Sequence, residues 1–356
     1  AAMVEATGAC ADAAALQAGA CRVIREATGA QAGIVTSGAS AAVLLGAAAC
    51  LAGLDPVRMN ALPEVADGRR EFIVVRSQRN MYDRALVVAG GRIVEIGIPD
   101  RYSGPGVRDA AVWEIEAAIT PATAGVYYLA VPQSRPPLRA VAEMARAHGV
   151  PLLVDAAAQL PPACNLRRFL DEGADLVCFS GGKAMGGPQA SGILCGRADL
   201  VSSALAQMLD MDVLEEFWAP PPEFAALAQL RGLPHHGIGR SCKVGKEAIA
   251  GLCVALRRFA DADPAARRAR WQGMLRSIME EAGGEGMRIV NRPIPLLEFD
   301  AGSAGRADSL FRRLAAGTPA IACAPDRIGE GILLFNPAAM TEDQARLVGA
   351  RLKELR

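Results

Sequence analysis

Seven short apolar runs, most of them rich in β-branched residues, punctuate the first two-thirds of this chain and limit what it can fold into. They lie at 33–36, 71–75, 92–96, 123–129, 150–155, 175–180 and 192–196, and each has the length and residue choice of a strand. Helix-like stretches fall between them: the Ala-rich 39–51, a helix end at 86–89 stopped by Gly90-Gly91, and 138–148. Strands separated by helices pair through crossovers and not through hairpins. The expected fold class is therefore α/β, a mostly parallel seven-stranded sheet flanked by helices on both faces. A long helical pattern at 246–259 then leads into a different region. Strand-like 294–299, 320–324 and 331–335, with helices at 310–316 and 341–354, predict a smaller α+β domain. The boundary is placed near Gly245, giving a large domain over 1–245 and a linker helix plus small C-terminal domain over 246–356. The chain opens helix-like at Ala1-Ala2-Met3, and this opening helix is a candidate to pack with the small domain.

With 356 residues, 51% of them hydrophobic, the chain can bury a core of that size. Formal net charge is zero and there is no polybasic run, so no long-range attraction to nucleic acid or to an anionic membrane is expected. The Ala-rich stretch is too short to span a bilayer, and no signal peptide is seen. The nine cysteines contain no Cys-x-x-Cys pair; free thiols in a reducing cytoplasm are the plain reading. His148, His235 and His236 lack metal-ligand spacing, so no metal is expected. Zinc-protease and serine-hydrolase signatures do not occur.

Only four of the 38 basic residues are lysines, at 183, 243, 246 and 353. Arginine cannot lose its proton and cannot form a Schiff base. Lys183 lies in Ser180-Gly181-Gly182-Lys183-Ala184-Met185-Gly186-Gly187, where paired glycines let a flat ligand come close. The pattern points to a covalent bond with pyridoxal 5′-phosphate (PLP); a surface lysine in a glycine loop is the alternative. Asp155 ends a strand, the edge at which open α/β sheets bind ligands. It is a partner for a pyridinium nitrogen or a turn residue. Ala157 is small enough for a ring to lie against it, or is ordinary core. Thr36-Ser37-Gly38-Ala39 stands at a strand-to-helix junction. It is a phosphate seat or a routine N-cap, and Ser180 offers a further hydroxyl. In the polar segment 76–83, Gln78 or Tyr82 is placed to cover a cofactor ring and Arg79 to bind a substrate anion, unless the segment is a solvated loop. The 239–246 segment falls short of a Walker A loop. Its glycines are one residue too far apart, and Glu247 stands where a magnesium-binding hydroxyl is needed. Arg240 and Lys243 remain anion-contact candidates.

Taken in order, Val35–Ala39, 76–83, Val154-Asp155-Ala156-Ala157-Ala158, 179–188 and 239–247 resemble the fold-type I PLP enzymes related to bacterial selenocysteine synthase (L-seryl-tRNA selenium transferase). They are similar in particular to the D-glucosaminate-6-phosphate ammonia-lyase branch. The resemblance covers nearly the whole chain. It implies that Lys183 forms the Schiff base, that Asp155 pairs with the pyridine nitrogen, and that Ser37-Gly38-Ala39 with Ser180 contact the phosphate. It also implies a homodimer or larger assembly, with Arg240 and Lys243 reaching a neighbour's site. Three departures stand out. Gln78 occupies the place where relatives carry a histidine over the ring. Pro319-Ala320-Ile321 is followed by 322–326, with Arg327 only later, where relatives offer an arginine for the substrate carboxylate. Relatives also have an N-terminal segment that this sequence does not show.

The resulting expectation is a cytoplasmic PLP-dependent lyase of the β-elimination, ammonia-lyase type. It would act on a small amino acid or amino-sugar acid, with Lys183 as α-proton base, Asp155 as ring partner and Gln78 over the ring. An amino-acid racemase shares the first half of that chemistry. A selenium-transferase-like enzyme acting on aminoacyl-tRNA is a further alternative, against which the neutral charge balance counts, and a non-catalytic protein of the same fold is another.

Overall fold

The computed structural model describes residues 1–65, 68–98 and 109–355. The chain forms two compact units, Ala1–Ala260 and Asp261–Arg356. The first is built on a seven-stranded sheet of β1 (Ala32–Thr36), β2 (Glu71–Val75), β3 (Arg92–Ile96), β4 (Thr123–Leu129), β5 (Leu152–Asp155), β6 (Leu176–Ser180) and β7 (Gly192–Gly196), in the order β1-β7-β6-β5-β4-β2-β3. Strands β6, β5, β4, β2 and β3 pair in parallel, and β7 runs antiparallel to both neighbours. The 181–191 connection into β7 is shorter than a parallel crossover requires, which fixes its direction.

Alternate residues of these strands feed two separate cores. Ile34, Val74, Tyr127, Leu153, Cys178 and Leu194 pack on one face, and Val35, Ile73, Tyr128, Val154, Phe179 and Ile193 on the other. Helices α1 (Ala2–Thr7), α2 (Ala13–Thr28), α3 (Ala39–Ala52), α4 (Pro56–Ala61), α5 (Arg84–Val88), α6 (Val112–Ala117), α7 (Leu138–Ala147), α8 (Asn165–Asp171), α9 (Ala198–Ala206) and α10 (Lys246–Asp261) complete the unit. The Ala-rich α3 is buried all round because it lies against the sheet. A methyl group on its Gly46 would come within 2.9 Å of Leu153 on β5. That close approach to the sheet, together with packing against α9 and α5 on its other sides, suits its small side chains.

The division between the units falls later than Gly245. Ile249, Leu252, Ala255, Leu256 and Phe259 of α10 are buried in the second core of the sheet, so this helix belongs with the first unit. The break comes where Asp263 caps α11 (Pro264–Ala282) with proline at its first position. Helix α1 also lies within the first unit, its Ala6 and Thr7 carbonyls accepting from Lys246 Nζ at 2.8 Å each.

The second unit joins α11, α12 (Ala304–Ala315) and α13 (Glu342–Leu355) to an antiparallel sheet of β8 (Met287–Val290), β9 (Leu296–Asp300) and β10 (Ile332–Phe335), in the order β10-β9-β8. The strand expected at 320–324 does not form. Pro319 and Pro325 bracket it, and only Ala324 bridges to Leu334. The third strand is instead β8, at the edge opposite β10, which the apolar pattern does not single out.

Candidate active site

Parallel pairing of β4, β5 and β6 brings their carboxyl ends to one edge, with Leu129 opposite Asp155 and Asp155 opposite Cys178. The carboxyl end of β1 is delivered to the same edge, because Gly192 of β7 pairs with both Thr36 and Ser180. A cavity of about 380 Å³ opens there. Three of its walls carry chemistry.

The first is Asp155, 5% exposed. Its Oδ2 accepts a hydrogen bond from the Tyr127 hydroxyl at 2.9 Å and its Oδ1 accepts from the Ala157 backbone N–H at 3.0 Å. Two donors stabilise the ionised form of a buried carboxylate. Burial, and then the neighbouring Asp155 charge, push the Tyr127 hydroxyl far above its ordinary titration range. It therefore stays protonated and stays a donor. The same two causes, in the same order, raise the thiol of Cys178.

The second wall is the start of α3, where Gly38, Ala39 and Ser40 line the cavity. No side chain caps this helix, so its first-turn N–H groups face the cavity without the usual intrahelical or cap partner. Gly38 has φ 122° and ψ 165°, a conformation that is nearly glycine-only, and the space where its Cβ would stand is empty to 4 Å. A methyl on Gly192 would come within 2.5 Å of the Gly38 carbonyl carbon, so β7 holds the turn from behind.

The third wall is Ser180 and Lys183, in the loop after β6. Lys183 is exposed at the cavity mouth. The glycines before it have a different role from the one its sequence context predicts. A Cβ on Gly181 would fall against Ser191 Oγ, and one on Gly182 would come 2.7 Å from Gln189 Cα. They make room for the chain's own return at 188–191, which is what turns Lys183 toward the cavity. Gly187 N–H to Gly181 O and Gly186 N–H to Lys183 O, both 2.9 Å, close the loop.

The remaining expected residues lie elsewhere. Gln78, 2% exposed, donates from Nε2 to the Arg135 carbonyl at 2.9 Å and accepts at Oε1 from Leu129 N–H at 3.0 Å. Both amide ends are committed to backbone and it does not line the cavity. Asn80 and Tyr82 hold that wall. Arg79 pairs with Asp83 at 2.5 Å and with Glu95, and Arg240 with Asp210 at 2.6 Å. The Ser37 hydroxyl donates to the Cys242 carbonyl at 2.9 Å, which ties the turn carrying Arg240 and Lys243 to the start of α3. Ser37, Arg240 and Lys243 are not on the cavity wall itself. In the second unit Arg327 lies between Glu298 and Glu330. His236 sits 3.5 Å from Asp210 and 3.6 Å from Asp212 in an exposed cluster that linear spacing does not reveal.

Tyr127, Asn80, Ser40, Gln159 and Gln189 are site residues that the sequence reading leaves unmarked. Tyr127 carries a signal that its neighbour Tyr128 shares, a phenol in a largely apolar strand, which needs a partner once buried.

The three walls fit PLP: an anion-binding helix start with an open glycine, a buried carboxylate served by two hydrogen-bond donors, and an amine at the mouth. The family model for L-seryl-tRNA selenium transferase (SelA) matches residues 17–214. The chain belongs to this family. Among family relatives, a 5′-C-glycyluridine monooxygenase-decarboxylase of Streptomyces sp is 32% identical over 93% of this chain and 78% of its own. A D-glucosaminate-6-phosphate ammonia lyase of Salmonella typhimurium is 27% identical over 92% of this chain and 82% of its own. A solved D-glucosaminate-6-phosphate ammonia-lyase superposes with a TM-score of 0.77 at 26% identity, covering 99% of this chain and 89% of that one. These relatives are enzymes, and the fold is that of the fold-type I PLP-dependent enzymes. Among the described residues no helix is long and apolar enough to cross a membrane.

Proposed function

We propose that this chain is a PLP-dependent lyase that acts at the α-carbon of a small amino acid or amino-sugar acid. The observation that carries the reading is the convergence of Lys183, Asp155 and the uncapped start of α3 on one cavity. PLP bound there supplies an aldehyde for the substrate's amine and an electron sink for charge developing at the α-carbon. The N–H groups of Ala39 and Ser40, with the Ser180 hydroxyl, bind its phosphate. Asp155 would hold its ring nitrogen protonated, and Ala157, on the same cavity wall, would leave room for the ring. Lys183 Nζ anchors the group and serves as the base that takes the α-proton. Loss of a β-substituent with release of ammonia is the outcome that matches the ammonia-lyase relatives. A homodimer or larger assembly is part of the reading, and nine free thiols suit a reducing cytoplasm. The tRNA-directed alternative has less support, since net charge is zero.

The test is a yellow absorbance in the purified protein that borohydride abolishes, with the added mass mapped to Lys183. A panel of D- and L-amino acids is then scored for keto acid, ammonia and racemisation. Absence of PLP uptake, or PLP uptake unaffected by Lys183→Ala, refutes the assignment. A second reading is favoured by the 32% identity to a monooxygenase-decarboxylase: oxidative loss of the substrate carboxylate. Oxygen uptake and carbon dioxide release in the same panel distinguish it from elimination.

A further inference from the structure

Tyr127 does not line the cavity, yet it is joined to it through Asp155. Its hydroxyl, on a side chain that is 1% exposed, donates to Asp155 Oδ2 at 2.9 Å, and Asp155 lines the cavity. Tyr128, the next residue, is also buried and points to the opposite face of the sheet. There it donates to the Pro136 carbonyl at 3.0 Å and has no link to Asp155.

We propose that Tyr127 is a positioning residue: by donating to Asp155 Oδ2 it keeps that carboxylate ionised and aimed into the cavity, so that a proton shared with a ring nitrogen stays on the ring. The inference rests on the PLP reading above. A carboxylate this buried keeps its charge only while donors serve its oxygens. Oδ1 has the Ala157 N–H and Oδ2 has Tyr127. Burial and Asp155 hold the phenol protonated, so the donor does not switch off with pH in the working range. Removal of the hydroxyl takes away the donor that the described residues offer Oδ2. The shared proton then moves to Asp155, because a neutral acid beside a neutral ring avoids a stranded buried charge. The ring loses its positive charge, and with it the strong bond to the protein and much of its electron-withdrawing power.

The experiment measures equilibrium affinity of the purified apoprotein for PLP and for the PLP analogue in which carbon replaces the ring nitrogen. A general loosening of the site weakens both ligands alike; loss of the proposed function of Tyr127 weakens only the ligand with a ring nitrogen. Tyr127→Phe is expected to weaken PLP about tenfold or more, the usual effect of losing a hydrogen bond to a charged group. Affinity for the analogue should hold, so the ratio of the two collapses. Tyr128→Phe, which loses a comparable buried bond, is expected to keep the wild-type ratio. Tyr127→Met, which also lacks the hydroxyl, is expected to lower the ratio in the same direction, and it carries the test if the phenylalanine variant does not fold. Equal weakening of both ligands, or an unchanged ratio, overturns the inference while leaving the PLP assignment standing. A wild-type protein that takes up no PLP overturns both.

Discussion

Gly181→Ala separates two explanations for the glycines before Lys183. If they exist to admit a flat ligand, the substitution harms ligand binding and leaves the apoprotein alone. The structure places their free space inside the protein. An added Cβ would fall against Ser191 Oγ and 2.5 Å from Leu252 Cδ1, closer than real Cβ atoms come to anything. Ser191 is fully buried, and its hydroxyl donates to the Pro188 carbonyl at 2.6 Å. Rotating it away forfeits that bond, at about 1 kcal/mol. Overpacking against Leu252 of α10 adds about 1–3 kcal/mol. The total, about 2–4 kcal/mol, corresponds to a fall in melting temperature of roughly 4–16 °C for a unit of this size. The assay is thermal unfolding of the apoprotein followed by circular dichroism, with no cofactor present. The double variant Gly181→Ala with Ser191→Ala removes the hydroxyl and is expected to recover part of the loss, as contacting residues do not add. If apo Gly181→Ala melts with the wild type while PLP binding is lost, the packing account of these glycines is wrong.

Two further outcomes follow from the same geometry. Arg79→Met takes the guanidinium away from the buried Asp83 carboxylate and leaves it the Asn80 N–H at 3.1 Å. It is expected to lower stability by about 1–3 kcal/mol with little change in KM, as urea unfolding and steady-state kinetics would show; a large rise in KM at unchanged stability would restore Arg79 as a substrate anchor. Burial pushes the thiols of Cys50 and Cys195 up from 9.0 to about 12. A raised folded-state value means that this contribution is complete below about pH 9 and is lost as pH rises toward about 12. Melting temperature is therefore expected to fall across that window, and less steeply in Cys195→Ala. A slope identical to the wild type would show that the Cys195 thiol is not protected as described.

The alternation of β-branched strands and helices is written locally, so the parallel sheet, its seven strands and the position of Asp155 at a strand end are legible without coordinates. Lys183 is legible for a chemical reason: lysine is scarce here and is the basic residue able to form a Schiff base. The start of α3 is legible as well, since Gly38 at a strand-to-helix turn signals an unusual backbone. The small domain is less so, because prolines at 319 and 325 interrupt a segment whose composition reads as strand. Helix α10 has the same amphipathic pattern whichever unit it joins, so the boundary depended on which core had room for Leu252 and Phe259.

Sequence by itself determined which residue types were available for chemistry and in what order the elements came. Tertiary structure decided which side chains had free valences left when the fold was complete. Gln78 and Arg79 have suitable groups, but their hydrogen-bonding capacity is taken by Leu129, Arg135, Asp83 and Glu95, partners distributed from a few to more than fifty residues along the chain. Tyr127 gained its place because β4 lies beside β5 in register, a relation between strands that no local pattern encodes. A functional group is a side chain whose valence the fold leaves open, and that remainder exists only after the long-range pairings are made.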